Sequence, residues 1–185
     1  MPAAARTHDE NPVRDNAFKR ELVALIPHLR AFARTLCGDP TAADDLAQDA
    51  MMKAWDARGS FEMGTNMKAW TFMILRNQFY SEKRRSWRQT QLDQEAAERT
   101  LVAVDDPEAP VALDELRQGL GMLPIEQREA LILVGAGGFA YEEAAEICGC
   151  AVGTVKSRVS RARRARLTRL FTVPTAQSQM AAASS

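Results

Sequence analysis

The sequence predicts an all-α protein, built as two small helical domains joined by a flexible acidic linker. Three observations carry that prediction. Apolar residues recur at steps of three and four through most of the chain, and no segment offers a defensible strand. Residues 91–112 are rich in Asp, Glu, Gln and Ala, hold Pro107 and Pro110, and interrupt the helical pattern. Beyond them a short helix, a tight turn and an arginine-rich helix follow one another between Tyr141 and Leu170, which is the spacing of a helix-turn-helix.

Taken in order, residues 1–16 are Ala-rich and polar with no apolar period, and are expected to be disordered. From Phe18 onward Leu22, Leu25, Ile26, Leu29, Phe32, Ala33 and Leu36 mark a helix, with Pro27 predicting a kink or break inside it. Gly38-Asp39-Pro40-Thr41 ends that element. Thr41 is the expected N-cap of a second helix over 42–57, and Asp44 suits the positive end of its dipole. Gly59 and Gly64 bracket a loop, and a third helix runs from near Met67 past Arg85, with Trp70, Met73, Ile74 and Asn77 along one side. These elements form a first domain over 17–90. The second, over 113–172, holds helices near 113–122, 124–134, 141–148 and 153–170. Pro124 suits a first helical turn, where its missing N–H costs nothing. Gly135-Ala136-Gly137-Gly138 stops one helix, and Gly149 stops the next from the position past its end. The tail, 173–185, is low in complexity and expected to be disordered.

With 46% hydrophobic and 26% charged residues the chain is too apolar for a disordered protein, and it has no apolar run long enough to span a membrane. Its N-terminus lacks the apolar core of a secretory signal. Cys37, Cys148 and Cys150 make neither a disulfide framework nor a zinc set, and read as thiols in a reducing cytoplasm. No nucleophile–base set or metal set is found, so no catalytic residue, metal or cofactor is expected. The formal net charge of zero hides a segregation of sign. Acidic residues gather at Asp39, Asp44, Asp45, Asp49 and Asp56 and again from Asp93 to Glu115, basic ones at Lys83, Arg84, Arg85 and Arg88 and from Lys156 to Arg169. That pattern predicts two partners, one basic or protein-like and one an acidic polymer.

The last helix is the strongest signal. Val155, Val159 and Ala162 fall on one face and can pack on Ala145 and Ile147, while Lys156, Ser157, Arg158, Ser160, Arg161, Arg163 and Arg164 occupy the others. No acidic residue occurs from Gly149 to the end of the chain, whereas a merely solvated surface intersperses carboxylates. Such a helix suits the major groove of DNA, where Arg bonds guanine edges and Lys or Arg bonds phosphates. Just upstream, Gly135, Gly137 and Ala140 fit a dinucleotide-loop pattern, but neither the second strand nor the acidic residue that pattern needs is there.

Two blocks of residues resemble a known family. DDLAQDAMMKAW at 44–55, followed by NMKAWTFMILRNQFYSEKRR at 66–85, is similar to region 2 of the RNA polymerase sigma factors. LGMLPIEQREALILVGAGGFAYEEAAEICGCAVGTVKSRVSRARR at 120–164 is similar to sigma region 4. Both in this order, with only a linker between, resemble the small extracytoplasmic-function sigma factors, and the wording of the second block resembles the general-stress subgroup called EcfG. The resemblance implies a factor that carries RNA polymerase to promoters and opens them. It implies that Asp45, Gln48, Asp49 and Trp55 dock on the β′ clamp helices of the polymerase core, with the β subunit a further contact. It assigns the third helix to the promoter −10 element, where Asn66, Arg76, Asn77, Lys83, Arg84 and Arg85 are the expected contacts. Aromatic and basic residues interleaved there suit single-stranded DNA, although Trp70 and Ile74 sit at core spacing. Lys156, Ser157, Ser160 and Arg161 align with the family's −35 readers, and Arg158 and Arg164 share their basic helix.

Two departures are visible. Relatives often carry Arg where this chain has Val134, and Ser as the N-cap where it has Ala140, which should weaken that helix start by about 1 kcal/mol. The resemblance places the acidic linker in the polymerase active-site cleft and RNA exit path; by composition alone it is equally a solubilising spacer. It also implies control by an anti-sigma factor of the NepR type, bridging the Asp45–Asp49 face and the apolar side near Leu131 and Val134, with no membrane or small-molecule ligand. A flexible linker leaves the free domains many relative placements. Two other classes are open: a sigma-like mimic that binds protein instead of DNA, which should lack the Arg-rich helix, and a plain helix-turn-helix regulator, which should lack the first block.

Overall fold

The computed structural model describes residues 12–92 and 118–170, with side chains over 12–88 and 118–165. Expectations for the acidic linker, the start of the second domain, the extreme N-terminus and the tail lie outside these residues. The described regular structure is helical throughout. It comprises α1 (Pro12–Ala24), α2 (Ile26–Cys37), α3 (Pro40–Asp56), a 3-10 turn (Arg58–Ser60), α4 (Met67–Leu92), a helical turn at 118–121, α5 (Ile125–Gly135), α6 (Tyr141–Cys148) and α7 (Val152–Leu170).

The break expected at Pro27 falls between α1 and α2, and Pro27 takes a first-turn position that needs no N–H. The first helix begins earlier than apolar spacing indicates, so residues 12–16 are helical and not part of a disordered lead. The cause is polar. The Arg14 guanidinium donates to the Phe61 carbonyl at 2.7 Å, and Asp15 pairs with Arg58 at 3.3 Å. The cap of α3 is Asp39, not Thr41: its carboxylate accepts the Ala42 N–H at 2.7 Å, and Pro40 opens the helix behind it. Pro124 stands one position outside the expected one. Its ψ of 140° is extended, so it caps α5 and its carbonyl accepts the Gln127 and Arg128 N–H groups.

Ala140 cannot cap α6, yet Glu143 reaches back to accept the Ala140 N–H at 2.9 Å, so the reciprocal half of a capping box is kept. Gly149 ends α6 at φ 60°, in the left-handed conformation its position called for. The glycine run before α6 is a packing turn. A Cβ on Gly137 would lie 2.6 Å from the Leu133 carbonyl oxygen, and the segment entering the run is α5, not a strand.

One hydrophobic core runs through both helical units. Leu29, Phe32, Leu36, Leu46, Phe72 and Leu75 from α2–α4 are continuous with Leu133, Phe139, Ile147, Val155 and Val159 from the second unit. Phe72 stacks on Phe32 at 4.8 Å on one side and meets Phe139 edge-on at 5.1 Å on the other. A flexible linker by itself would leave the units free of one another; here they pack together. A second, aromatic cluster of Phe18, Phe61 and Met67, flanked by Trp55 and Trp70, closes the far end of the first unit.

Candidate nucleic-acid interface

Val155, Val159 and Ala162 are buried, and Val155 and Val159 seat α7 in the core that holds Ala145 and Ile147, as the spacing predicts. Anchored this way, the helix presents Lys156, Ser160, Arg161, Arg163 and Arg164 to solvent. Ser157 and Arg158 are half-buried. The Ser157 hydroxyl donates to the Thr154 carbonyl at 2.9 Å and accepts from Arg161 at 3.4 Å, while Arg158 reaches Cys150 Sγ at 3.8 Å. Lys156 Nζ stands 5.7 Å from the Tyr141 ring centroid, a cation–π contact that steadies a flexible side chain.

The residues expected at the −10 element divide in two. Asn77, Lys83, Arg84 and Arg85 are exposed along α4, with Trp87 beyond them 67% exposed. Of the aromatic residues interleaved in α4, only Trp87 is exposed; Trp70, Phe72, Phe79 and Tyr80 are packed. Asn66 and Arg76 are drawn toward the second unit. Asn66 caps α4 by accepting the Ala69 N–H at 3.0 Å and donates to Glu143 at 2.6 Å. Arg76 does not face outward as expected. Its side chain is 15% exposed and its Nε donates to Glu129 at 2.5 Å, with the guanidinium 4.5 Å from the Tyr80 ring centroid. A carboxylate as buried as Glu129, at 0% exposure, demands such a partner.

On α3, Asp45, Gln48 and Asp49 form an exposed acidic face, as the spacing requires. Trp55, the aromatic neighbour of that face, is packed on one side. It is half-buried, 6.2 Å from Phe18 and covered by Arg58 at 4.6 Å, because its ring completes the aromatic cluster. Met52, 57% exposed one turn beyond Gln48 and Asp49, adds apolar area to the acidic face. Its helical spacing from Asp45 and Asp49 was the signal by which it could have been found.

Sigma-70 region 2 matches residues 22–89, and sigma-70 region 4 matches residues 113–165. The chain is 47% identical over 148 residues to the ECF RNA polymerase sigma factor EcfG of Rhodopseudomonas palustris, across 80% of this chain and 82% of that one. It belongs to the extracytoplasmic-function sigma factors. The ECF sigma factor SigM of Mycobacterium tuberculosis is 34% identical over 143 residues, 77% of this chain and 71% of its own. Among solved structures, the sigma factor RpoE in complex with the anti-sigma factor NepR from Bartonella quintana matches with a TM-score of 0.75 and 48% identity, over 86% of this chain and 99% of that one. CnrH in complex with the cytosolic domain of CnrY matches with a TM-score of 0.60 and 25% identity, over 86% and 94%.

A sigma factor is a transcription-initiation factor and not an enzyme, and it works by joining polymerase core to promoter DNA. In this one the regions meet through polar groups that apolar periodicity does not reveal. Lys68 Nζ donates to the Gly137 carbonyl at 2.8 Å, and Arg128 donates to the Thr35 carbonyl at 3.0 Å. Burial raises the Glu129 carboxyl above the ordinary carboxylate value, against the opposing pull of Arg76 and the Tyr80 hydroxyl. Burial lowers the Arg128 guanidinium, whose Nε finds no hydrogen-bond partner among the described residues. No described helix is long and apolar enough to cross a membrane.

Proposed function

We propose that this sigma factor directs core polymerase, in the cytoplasm, to promoters of general stress-response genes. α7 enters the major groove of the −35 element, where Lys156, Ser157, Ser160 and Arg161 meet base edges and phosphates and Arg158 and Arg164 add charge. Asn66, Arg76, Asn77 and the Lys83–Arg85 cluster serve the −10 element, and Asp45, Gln48 and Asp49 dock on the polymerase clamp above the packed Trp55. The observation that carries this reading is α7 itself: a helix seated by buried Val155 and Val159, with Lys156, Ser160 and Arg161 exposed and no carboxylate from Gly149 onward. Transcription in vitro with core polymerase tests it, on templates with and without −35 and −10 elements. A transcript is expected only when both are present; none on any template would refute it.

An anti-sigma factor of the NepR kind holds the chain inactive in unstressed cells. Support comes from the RpoE relative, 48% identical and captured in complex with NepR. Purification from the native cell before and after stress should yield a small bound protein that core polymerase displaces. A partner that stays bound alongside core polymerase would end the idea.

A further inference from the structure

The contact between the two regions is charged at its centre. Glu129 of α5 is fully buried, with Arg76 Nε at 2.5 Å from one carboxylate oxygen and the Tyr80 hydroxyl at 3.2 Å from the other. Around it lie Phe72 against Phe139, Lys68 on the Gly137 carbonyl and Arg128 on the Thr35 carbonyl. An ion pair in such a place adds little net stability, because separation returns both charges to water. Removing one partner is different, since it strands the other charge in the closed interface. The pair therefore makes closure specific while leaving it reversible. It also engages Arg76, a side chain that the proposed function gives to the −10 element, with a carboxylate.

We propose that Glu129 is an internal competitor for DNA: with Arg76 and Tyr80 it forms a latch that holds the free chain closed, and the latch must open before α4 engages a nucleic acid. The closure stands on the contacts alone, while its consequence rests on the reading of α4 as a DNA-binding element.

The full chain, without polymerase, is compared as wild type, Glu129→Gln and Lys68→Ala. Glu129→Gln keeps the shape of the side chain but leaves Arg76 uncompensated when closed, so the open-to-closed ratio should rise roughly a hundredfold. Lys68→Ala weakens the interface from its rim and should act in the same direction, less strongly. The readouts are amide exchange over 66–80 and 128–139, the radius of gyration by small-angle scattering, and affinity for a short single-stranded oligothymidylate. Faster exchange over those segments, a larger radius and tighter oligonucleotide binding, with the helical circular-dichroism signal kept, are expected. Two variants as compact and as slow to exchange as wild type would overturn the latch. So would global unfolding of Glu129→Gln with Lys68→Ala unchanged. Opening without any gain in oligonucleotide affinity would overturn the competition. Variants that open and gain oligonucleotide affinity, beside a wild-type chain that supports no transcription with core polymerase, would count against the proposed function and leave the latch standing.

Discussion

Replacing Arg161 with Ala isolates the DNA contact from the stability of the helix that carries it. The side chain is exposed, and its one described contact is a 3.4 Å approach to the Ser157 hydroxyl, which keeps its own bond to the Thr154 carbonyl. Folding stability should therefore change by no more than about 0.5 kcal/mol, as for an ordinary surface substitution. A bidentate arginine–base contact is worth about 1–3 kcal/mol of discrimination, so holoenzyme should lose roughly 5- to 150-fold in affinity for a promoter with an intact −35 element. It should lose far less on a promoter whose −35 element is scrambled. Arg158 gives the contrast. It is half-buried and touches Cys150, so Arg158→Ala should also remove packing and lower the melting temperature. The assay is equilibrium binding of reconstituted holoenzyme to the two duplexes at several salt concentrations, with thermal melts of each variant. An Arg161→Ala factor that keeps the wild-type ratio of affinities for the two duplexes would refute the assignment.

Reversing the acidic face with Asp45→Lys and Asp49→Lys should abolish association with core polymerase and leave the helical signal unchanged, since both side chains are exposed; co-purification with core would sink the docking surface. Phe72→Leu and Phe139→Leu, alone and combined in urea unfolding, should show a coupling of about 0.5–1.5 kcal/mol for the lost ring contact; strict additivity would mean the regions do not pack. Burial pushes the Cys37 thiol up to about 11 and that of Cys148 up to about 12. At pH 8 only about one Cys37 in a thousand is then thiolate, so both residues should resist alkylation until the protein is unfolded; rapid labelling of Cys148 in the native state would contradict its burial.

The helices and the helix-turn-helix were legible because they rest on local rules. Apolar steps of three and four place Leu29, Phe32, Val155 and Val159 inward, and Gly149 ends a helix wherever one reaches it. The features that local rules do not report are polar or positional. The start of α1 is set by Arg14 and Asp15, which tie it down through a carbonyl and a guanidinium far along the chain that no apolar period reports. Asp39 caps two residues before the expected Thr41, and Pro124 stands one residue from its expected place, differences set by backbone angles more than by composition.

By itself the sequence determined two helical units, the acid-free basic helix, the acidic face of α3 and the family to which the chain belongs. Each is a property of residues near one another along the chain, where side-chain type and helical period suffice. Only the tertiary structure decided that the two units share one core, that Trp55 is packed, and that Arg76 turns inward to Glu129. Those outcomes join residues dozens of positions apart. There a buried carboxylate takes whichever cation the fold brings to it, because an uncompensated charge out of water costs more than the contact it replaces.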